Sequence, residues 1–368
     1  MGEWKEYKLG EILTFQRGYD LPKSAMNAGG IPVAGSNGII GYHNQYTTKG
    51  PGITIGRSGN IGIPKFYKDN FWAHNTVLYV KDFHGNDENF MYYFLQTVDF
   101  TQFNTGSAVP SLNRNHIHEL SIFIPPLKEQ KRIASILSSL DDKIDLLHQE
   151  NKTLEAMAET LFRKWFIEEV KEDWKEGTLD DILSVKGGTT PSTKEPKYWD
   201  GSIPWTSPKD VTTLNGIYLF DTERKITQEG LKQISSGLLP AGTLLMSSRA
   251  PVGVLAYAEV PLAINQGYIA IIDDKGYAKE FIYLWLKANM DMVHSYANGS
   301  TFMEISKSAF KSLGLLIPPK HIVDEFCDRI KPIFEKIKIN ELQIRTINKT
   351  KDNILPKLMS NEIKIDEL

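Results

Sequence analysis

The side chains able to do chemistry in this sequence lie in glycine-rich stretches and form no catalytic motif. Gly30 to Ser36 has the glycine spacing of a phosphate-binding loop without its lysine. The eight histidines show no metal-ligand pairing, and His116 and His118, two apart on a helix, would not share a face. Glu362-Ile363-Lys364 with Asp352 upstream resembles a nuclease triplet, but a charged tail is ordinarily a solvated one. What the glycine-rich stretches do offer is arginine, lysine, asparagine and glutamine beside tight turns. Arginine and lysine donate to guanine, and asparagine and glutamine match the adenine edge, so the chemistry on offer is recognition of bases in a major groove. The candidates are Ser36, Asn37, Arg57, Asn60, Asn75 and Arg114 in the first half, and Lys209, Arg249, Asn265, Gln266 and Lys307 in the second. Each has a plainer reading. Turn geometry accounts equally for Asn37 and Asn60, which lie beside glycines. Arg57 and Arg249 recur after a strand and could be surface charges or contacts to phosphate or base. Asn75 and Asn265 also recur and could satisfy buried backbone; His74 reads as core or turn.

These loops need positioning, and the elements that do it occur twice. Trp4-Lys5-Glu6-Tyr7-Lys8-Leu9-Gly10-Glu11-Ile12-Leu13 returns as Trp174-Lys175-Glu176-Gly177-Thr178-Leu179-Asp180-Asp181-Ile182-Leu183. A repeat of that length means a duplicated domain. Ile31–Ala34, Gly52–Ile55 and Thr76–Val80 read as strands between exposed turns at 35–38 and 57–60. Asp87 to Phe100 reads as a helix capped by Asn86 or Asp87, with a shorter helix after Asn113 and a strand at Ile122–Ile124. In the second half, Pro240 to Leu245 with Arg249 echoes Pro51 to Ile55 with Arg57. Ala263-Ile264-Asn265 echoes Ala73-His74-Asn75, a helix Phe281–Tyr296 echoes Phe90–Phe100, and Asn298-Gly299-Ser300 echoes Thr105-Gly106-Ser107. Aligning these echoes puts roughly twenty extra residues between Lys186 and Pro240. Tyr92, Tyr93, Phe94, Tyr283 and Trp285 fall in helical stretches and read as core.

Each half closes on a heptad seam. The first runs Ile133, Leu137, Leu140, Ile144, Leu147, Asn151, Leu154, Ala158, Leu161, Trp165; the second runs Phe326, Ile330, Ile333, Ile337, Asn340, Ile344, Ile347, Lys351, Ile354, Leu358, with Lys351 its weakest position. Two such helices most simply pair with each other. The first would be about 50 Å long, holding two globular units at its ends, and the second would run back antiparallel. Setting Ile133 opposite Leu358 places Asn151 opposite Asn340, a buried amide layer able to fix register. Pro332 and Pro356 lie off the seam and predict a kink or break. A net charge of −3 argues against non-specific coating of nucleic acid but leaves room for a local basic groove. The single cysteine, Cys327, points to a reducing compartment. No apolar run suits a membrane span, and no signal segment opens the chain.

The order of these features resembles the specificity subunit of Type I restriction–modification systems. The resemblance is carried by the Trp-Lys opening of each half, Gly35-Ser36-Asn37-Gly38-Ile39-Ile40-Gly41-Tyr42, and Ile124-Pro125-Pro126-Leu127-Lys128-Glu129-Gln130. Leu161-Phe162-Arg163-Lys164-Trp165-Phe166 and Leu355-Pro356-Lys357-Leu358-Met359-Ser360-Asn361-Glu362-Ile363 close the two helices in the same way. In the second copy Lys320 replaces Leu127, and His321-Ile322-Val323 replaces Lys128-Glu129-Gln130. The resemblance implies an α+β fold: two target-recognition domains of mixed α/β-sheet structure, separated by two long antiparallel coiled-coil helices, with an internal pseudo-twofold repeat. The expected boundaries are 1–127 and 171–320 for the domains and 128–170 and 321–368 for the helices. Each domain would read one half of a split, asymmetric site in double-stranded DNA. The helices would space the halves and bind two modification (methyltransferase) subunits, which flip the target adenine out of the stack; restriction subunits can join. The chain itself would be non-catalytic, cytoplasmic and free of the membrane, with S-adenosylmethionine, ATP and Mg confined to its partners. Two other classes stay open: an enzyme, against which the missing motifs speak, and a two-headed glycan- or protein-binding module on a coiled-coil stalk, whose binding need not weaken with salt as DNA binding does.

Overall fold

Short strands of alternating or wholly apolar residues, punctuated by glycine, build the sheets; long amphipathic stretches build the helices. The computed structural model describes residues 3–103, 111–171, 174–299 and 303–365. Two compact units divide the chain, Met1–Ile144 with Arg345–Leu368, and Asp145–Ile344. Each therefore takes one globular region and part of both long helices.

In the first unit an antiparallel four-stranded sheet runs in the order Thr14–Arg17, Val77–Asp82, Gly52–Gly56, Pro64–Tyr67. A three-stranded sheet has Ile31–Gly35 between Gly38–His43 and Trp72–Ala73. A third, two-stranded sheet joins the opening strand Lys5–Lys8 to Ser121–Ile124. The helix Glu88–Gln96 starts at Asp87, whose carboxylate accepts from the Phe90 N–H. It buries Phe90, Tyr93 and Phe94 in one core with Ile133, Ala134 and Leu137 of the first long helix and Leu355, Leu358 and Met359 of the second.

The second unit repeats this plan with additions. Its sheet has five strands, Ser184–Lys186, Tyr268–Asp273, Thr243–Ser247, Leu255–Ala258 and Tyr218–Leu219. Trp199–Thr206 lies between Arg224–Ile226 and Ala263–Ile264, and Lys175–Thr178 pairs with Gly314–Ile317. The extra residues before Pro240 supply the short helices Pro208–Thr212 and Gln228–Leu231 and the fifth strand. That strand is tied to the second long helix, where Glu341 accepts from the N–H groups of Ile217 and Tyr218 at 2.9 and 3.1 Å. Tyr283 and Trp285 are buried as core, on a helix that is shorter than its periodicity predicts. Lys279–Ala288 and Met290–Ser295 are separate helices because Asn289 leaves helical geometry and its Nδ2 donates back to the Trp285 carbonyl.

The long helices span Leu127–Arg163, followed by a wide turn at Lys164–Glu168, and Lys320–Met359. In the first unit residues 133–137 meet 355–359; in the second, Ala158 and Phe162 meet Phe326 and Ile330. The pairing is antiparallel in both. No position of either seam is exposed. In the first unit Lys351 ion-pairs with Asp141, which also accepts from the Tyr93 hydroxyl at 2.7 Å. A charged seam position is thereby satisfied rather than buried alone. In the second unit Asn340 Nδ2 donates to Asn151 Oδ1 at 2.8 Å and to Glu150 Oε2 at 2.9 Å. The two prolines differ from expectation: the helix continues through both Pro332 and Pro356. Both rings face solvent, and buried neighbours, Ile330 and Phe334 around one and Leu355 and Leu358 around the other, hold the flanking turns in place.

Candidate nucleic-acid interface

In the first unit, segments that leave one end of the sheet are stitched together by backbone bonds. Gly18 N–H donates to Val77 O, Tyr19 N–H to Ala73 O, Arg57 N–H to Thr76 O, and Leu112 N–H to Arg57 O. The 36–37 turn joins them, with Ser36 N–H donating to Thr76 Oγ1 at 3.3 Å and Asn60 Nδ2 to Asn37 Oδ1 at 2.8 Å. Ser36, Asn37, Arg57, Asn60 and Asn75 thus form one cluster. Arg114 opens the helix Arg114–His118 two residues beyond Leu112. His74, half-buried, bonds Thr76 Oγ1, and His118 accepts from the Phe15 N–H, so both serve the scaffold.

The second unit has the same stitching. Ser248 N–H donates to Gly267 O, Ile305 N–H to Ser248 O, and Asn265 N–H to Thr206 O, as His74 N–H does to Ala34 O. These bonds equate positions more sharply than residue matching can. Arg57 corresponds to Ser248, and Arg249 to Ser58. Asn265 corresponds to His74, so the partner of Asn75 is Gln266. Both echoes drawn from sequence are displaced by one residue. In extended chain one residue reverses the side a side chain points to, so Arg57 and Arg249 do not occupy the same position of the shared frame. Arg114 and Lys307 do correspond, each opening a short helix after a capping Asn113 or Ser306.

Charge separates the units further. Arg57 Nε donates to the Asn75 carbonyl at 3.2 Å, and burial together with the neighbouring Arg17 guanidinium holds its pKa below the usual value. A like charge nearby disfavours the charged guanidinium, and an anion bound there would relieve that cost. In the second unit two of the candidate cations are paired: Arg249 Nε lies 3.1 Å from Glu304 Oε1, and Lys209 Nζ 2.7 Å from Glu223 Oε2. Lys307 reaches over Gly187, the position that corresponds to Arg17. Asn265 Oδ1 caps its own turn by accepting from Gly267 N–H, as the plainer reading had it. Arg17 and Glu304 escaped the sequence reading; Arg17 directly precedes a glycine at a strand end, a signal that was available, whereas Glu304 has none. Among the described residues no group of three or more His, Cys, Asp or Glu could hold a metal ion, and no helix is long and apolar enough to cross a membrane.

Two α+β units of one repeated plan, each presenting a polar loop cluster at the end of a sheet, define a recognition protein built from duplicated domains. The chain belongs to the Type I restriction–modification DNA specificity family: the model of that specificity domain matches it twice, over residues 1–156 and 171–349. Two such domains on one chain fit DNA target recognition, and the similarity gives no support to a glycan or protein binder. The chain is 39% identical to the MjaIX specificity subunit of Methanocaldococcus jannaschii over 162 residues, 44% of this chain and 38% of that one. It is 30% identical to the EcoR124I/EcoR124II specificity subunit of Escherichia coli, over 69% of this chain and 66% of that one. It is 23% identical to the HindI specificity subunit of Haemophilus influenzae, over 70% and 72%. The fold is similar to the crystal structure of the Type I S subunit from M. genitalium, with a TM-score of 0.61, 17% identity, and coverage of 97% and 96%.

Proposed function

We propose that this chain is the DNA-specificity subunit of a Type I restriction–modification complex, each globular domain reading one half of a split, asymmetric site in the major groove. One observation carries the reading: the loops at the sheet ends share a backbone hydrogen-bond frame, yet carry different polar side chains on it. A shared frame with different readers suits two half-sites of similar geometry and different sequence. In this reading the long helices act as spacer and as docking surface for two methyltransferase subunits, with restriction subunits joining them. The chain contributes no catalytic group. S-adenosylmethionine, ATP and Mg belong to the partner subunits, and the complex works in the cytoplasm.

The test is methylome sequencing of a methylation-deficient host that expresses this chain with its neighbouring methyltransferase, with and without Arg57→Ala and Arg249→Ala. N6-methyladenine at one split, asymmetric motif is expected, with each variant altering one half only. An active methyltransferase that binds the chain yet methylates without sequence dependence would overturn the reading.

A further inference from the structure

The repeated frame places one more pair of side chains at equivalent positions in the two units. Gly18 and Gly188 both pass so close to a neighbouring segment that a Cβ would lie about 2 Å from a backbone oxygen: 2.1 Å from His74 O in one, 1.8 Å from Ile264 O in the other. Only glycine fits. The close approach brings the residue two places on, Asp20 in the first unit and Thr190 in the second, beside the equivalent amides Asn75 and Gln266. Asn75 Nδ2 donates to Asp20 Oδ1, and Thr190 Oγ1 donates to Gln266 Oε1 at 2.6 Å.

Resting on the specificity reading above, we propose that Asp20/Asn75 and Thr190/Gln266 are the base-discriminating pairs of the two domains, reading one corresponding position of each half-site with opposite hydrogen-bond polarity. A carboxylate only accepts, so Asp20 holds the Asn75 amide nitrogen toward itself and turns the Asn75 oxygen outward. Among the described residues that oxygen has no partner. It suits a base that offers an exocyclic amine, and with the second Nδ2 hydrogen it matches the adenine edge. Thr190 does the reverse: it occupies the Gln266 oxygen and leaves both Nε2 hydrogens outward, which suits guanine O6 and N7 or thymine O4. The side chains of Asp20, Thr190 and Gln266 are exposed and Asn75 is half-exposed, so these bonds hold together no buried structure. In the first unit a cation lies alongside, and in the second the equivalent backbone position is that of Ser248. Arg57 Nε donates to the carbonyl of Asn75 itself, and Ser248, next to Arg249, donates through its N–H to the carbonyl of Gly267, next to Gln266. Phosphate contacts there would set the register that base reading requires.

The experiment uses the assembled complex with its methyltransferase subunits. Competition binding is measured against a panel of duplexes, each replaced at one base pair of the methylated motif. Asn75→Ala is expected to lower discrimination about tenfold at one position of one half-site and to leave the other half unchanged; Gln266→Ala is expected to do the same in the other half. Asp20→Asn and Thr190→Val keep size and fold while removing the constraint on the amide, and are expected to weaken discrimination at those same two positions. Discrimination unchanged at every position, or lost evenly over both halves, overturns the inference while leaving the specificity reading intact. A wild-type complex that does not discriminate among any of the duplexes overturns the specificity reading itself, and this inference with it.

Discussion

Arg57 sits one residue out of step with Arg249, and the two charges are differently compensated. Arg57 feels the charge of Arg17 and, among the described residues, has no carboxylate partner, which leaves its guanidinium open to an anionic group. Arg57→Ala is expected to weaken DNA binding by the assembled complex about tenfold and to reduce the slope of log affinity against log salt by about one. Arg249→Ala leaves Glu304 uncompensated against a polyanion, so it should cost more affinity than Arg249→Ala combined with Glu304→Gln; titration at several salt concentrations distinguishes them. Glu341 is a different case. It is buried beside Glu155 and Glu259, and burial raises its pKa from 4.5 to about 7 despite two backbone N–H donors. Below pH 4.5 the group is protonated whether the unit is folded or not, and its contribution to stability is fully present. As pH rises toward 7 the unfolded chain releases a proton the folded unit keeps, and stability falls by up to about 1.4 kcal/mol per pH unit, on the order of 2–3 kcal/mol by pH 8. Thermal melts from pH 5 to 8 should show this fall, and Glu341→Gln should flatten it. An equal slope in both proteins would refute the assignment.

At the scale of elements, the seam is the clearest object. Its periodicity is local, so it can be read from one helix at a time. The Asn151–Asn340 pair adds what apolar packing lacks, a directional hydrogen bond that is expected to favour one alignment. Asn340→Leu strands Asn151 and is expected to cost about 1–3 kcal/mol. The double replacement by leucine should cost less than the sum of the two single ones, a coupling that a double-mutant cycle measures. If the double variant keeps both stability and register, the layer does not set register. Lys351, the weak seam position, is resolved by Asp141 and Tyr93, neither of which lies on either seam. The prolines teach the opposite lesson. Local preference predicts a kink or break at Pro332 and Pro356, but packing on both sides outweighs the one backbone bond that each ring removes.

For the whole molecule, duplication matters more than any single contact. The scaffold is repeated strand for strand, while the segment between Lys186 and Pro240 grows two short helices and a strand. If scaffold and readers are separable in this way, a chain whose second recognition domain is replaced by a copy of the first should direct methylation to a site whose two halves carry the same sequence in opposite orientations. Methylome sequencing would show it, and an unchanged asymmetric motif would refute it.

Composition, the doubled motifs and the heptad seams determined the fold class, the duplication and the family, because each is a property of residues near one another along the chain. The opposed asparagines were legible too, since antiparallel pairing of two seams fixes opposition by counting. Which residues correspond across the two loop clusters was decided only by tertiary structure. Arg57 against Ser248, and Asn75 against Gln266, follow from bonds such as Arg57 N–H to Thr76 O and Ser248 N–H to Gly267 O, made between strands distant in sequence. A slip of one residue is invisible to composition yet turns every side chain to the other face. The partners of the amides, Asp20 and Thr190, were hidden for the same reason: a glycine lets two remote segments touch, and nothing local records which side chains then meet.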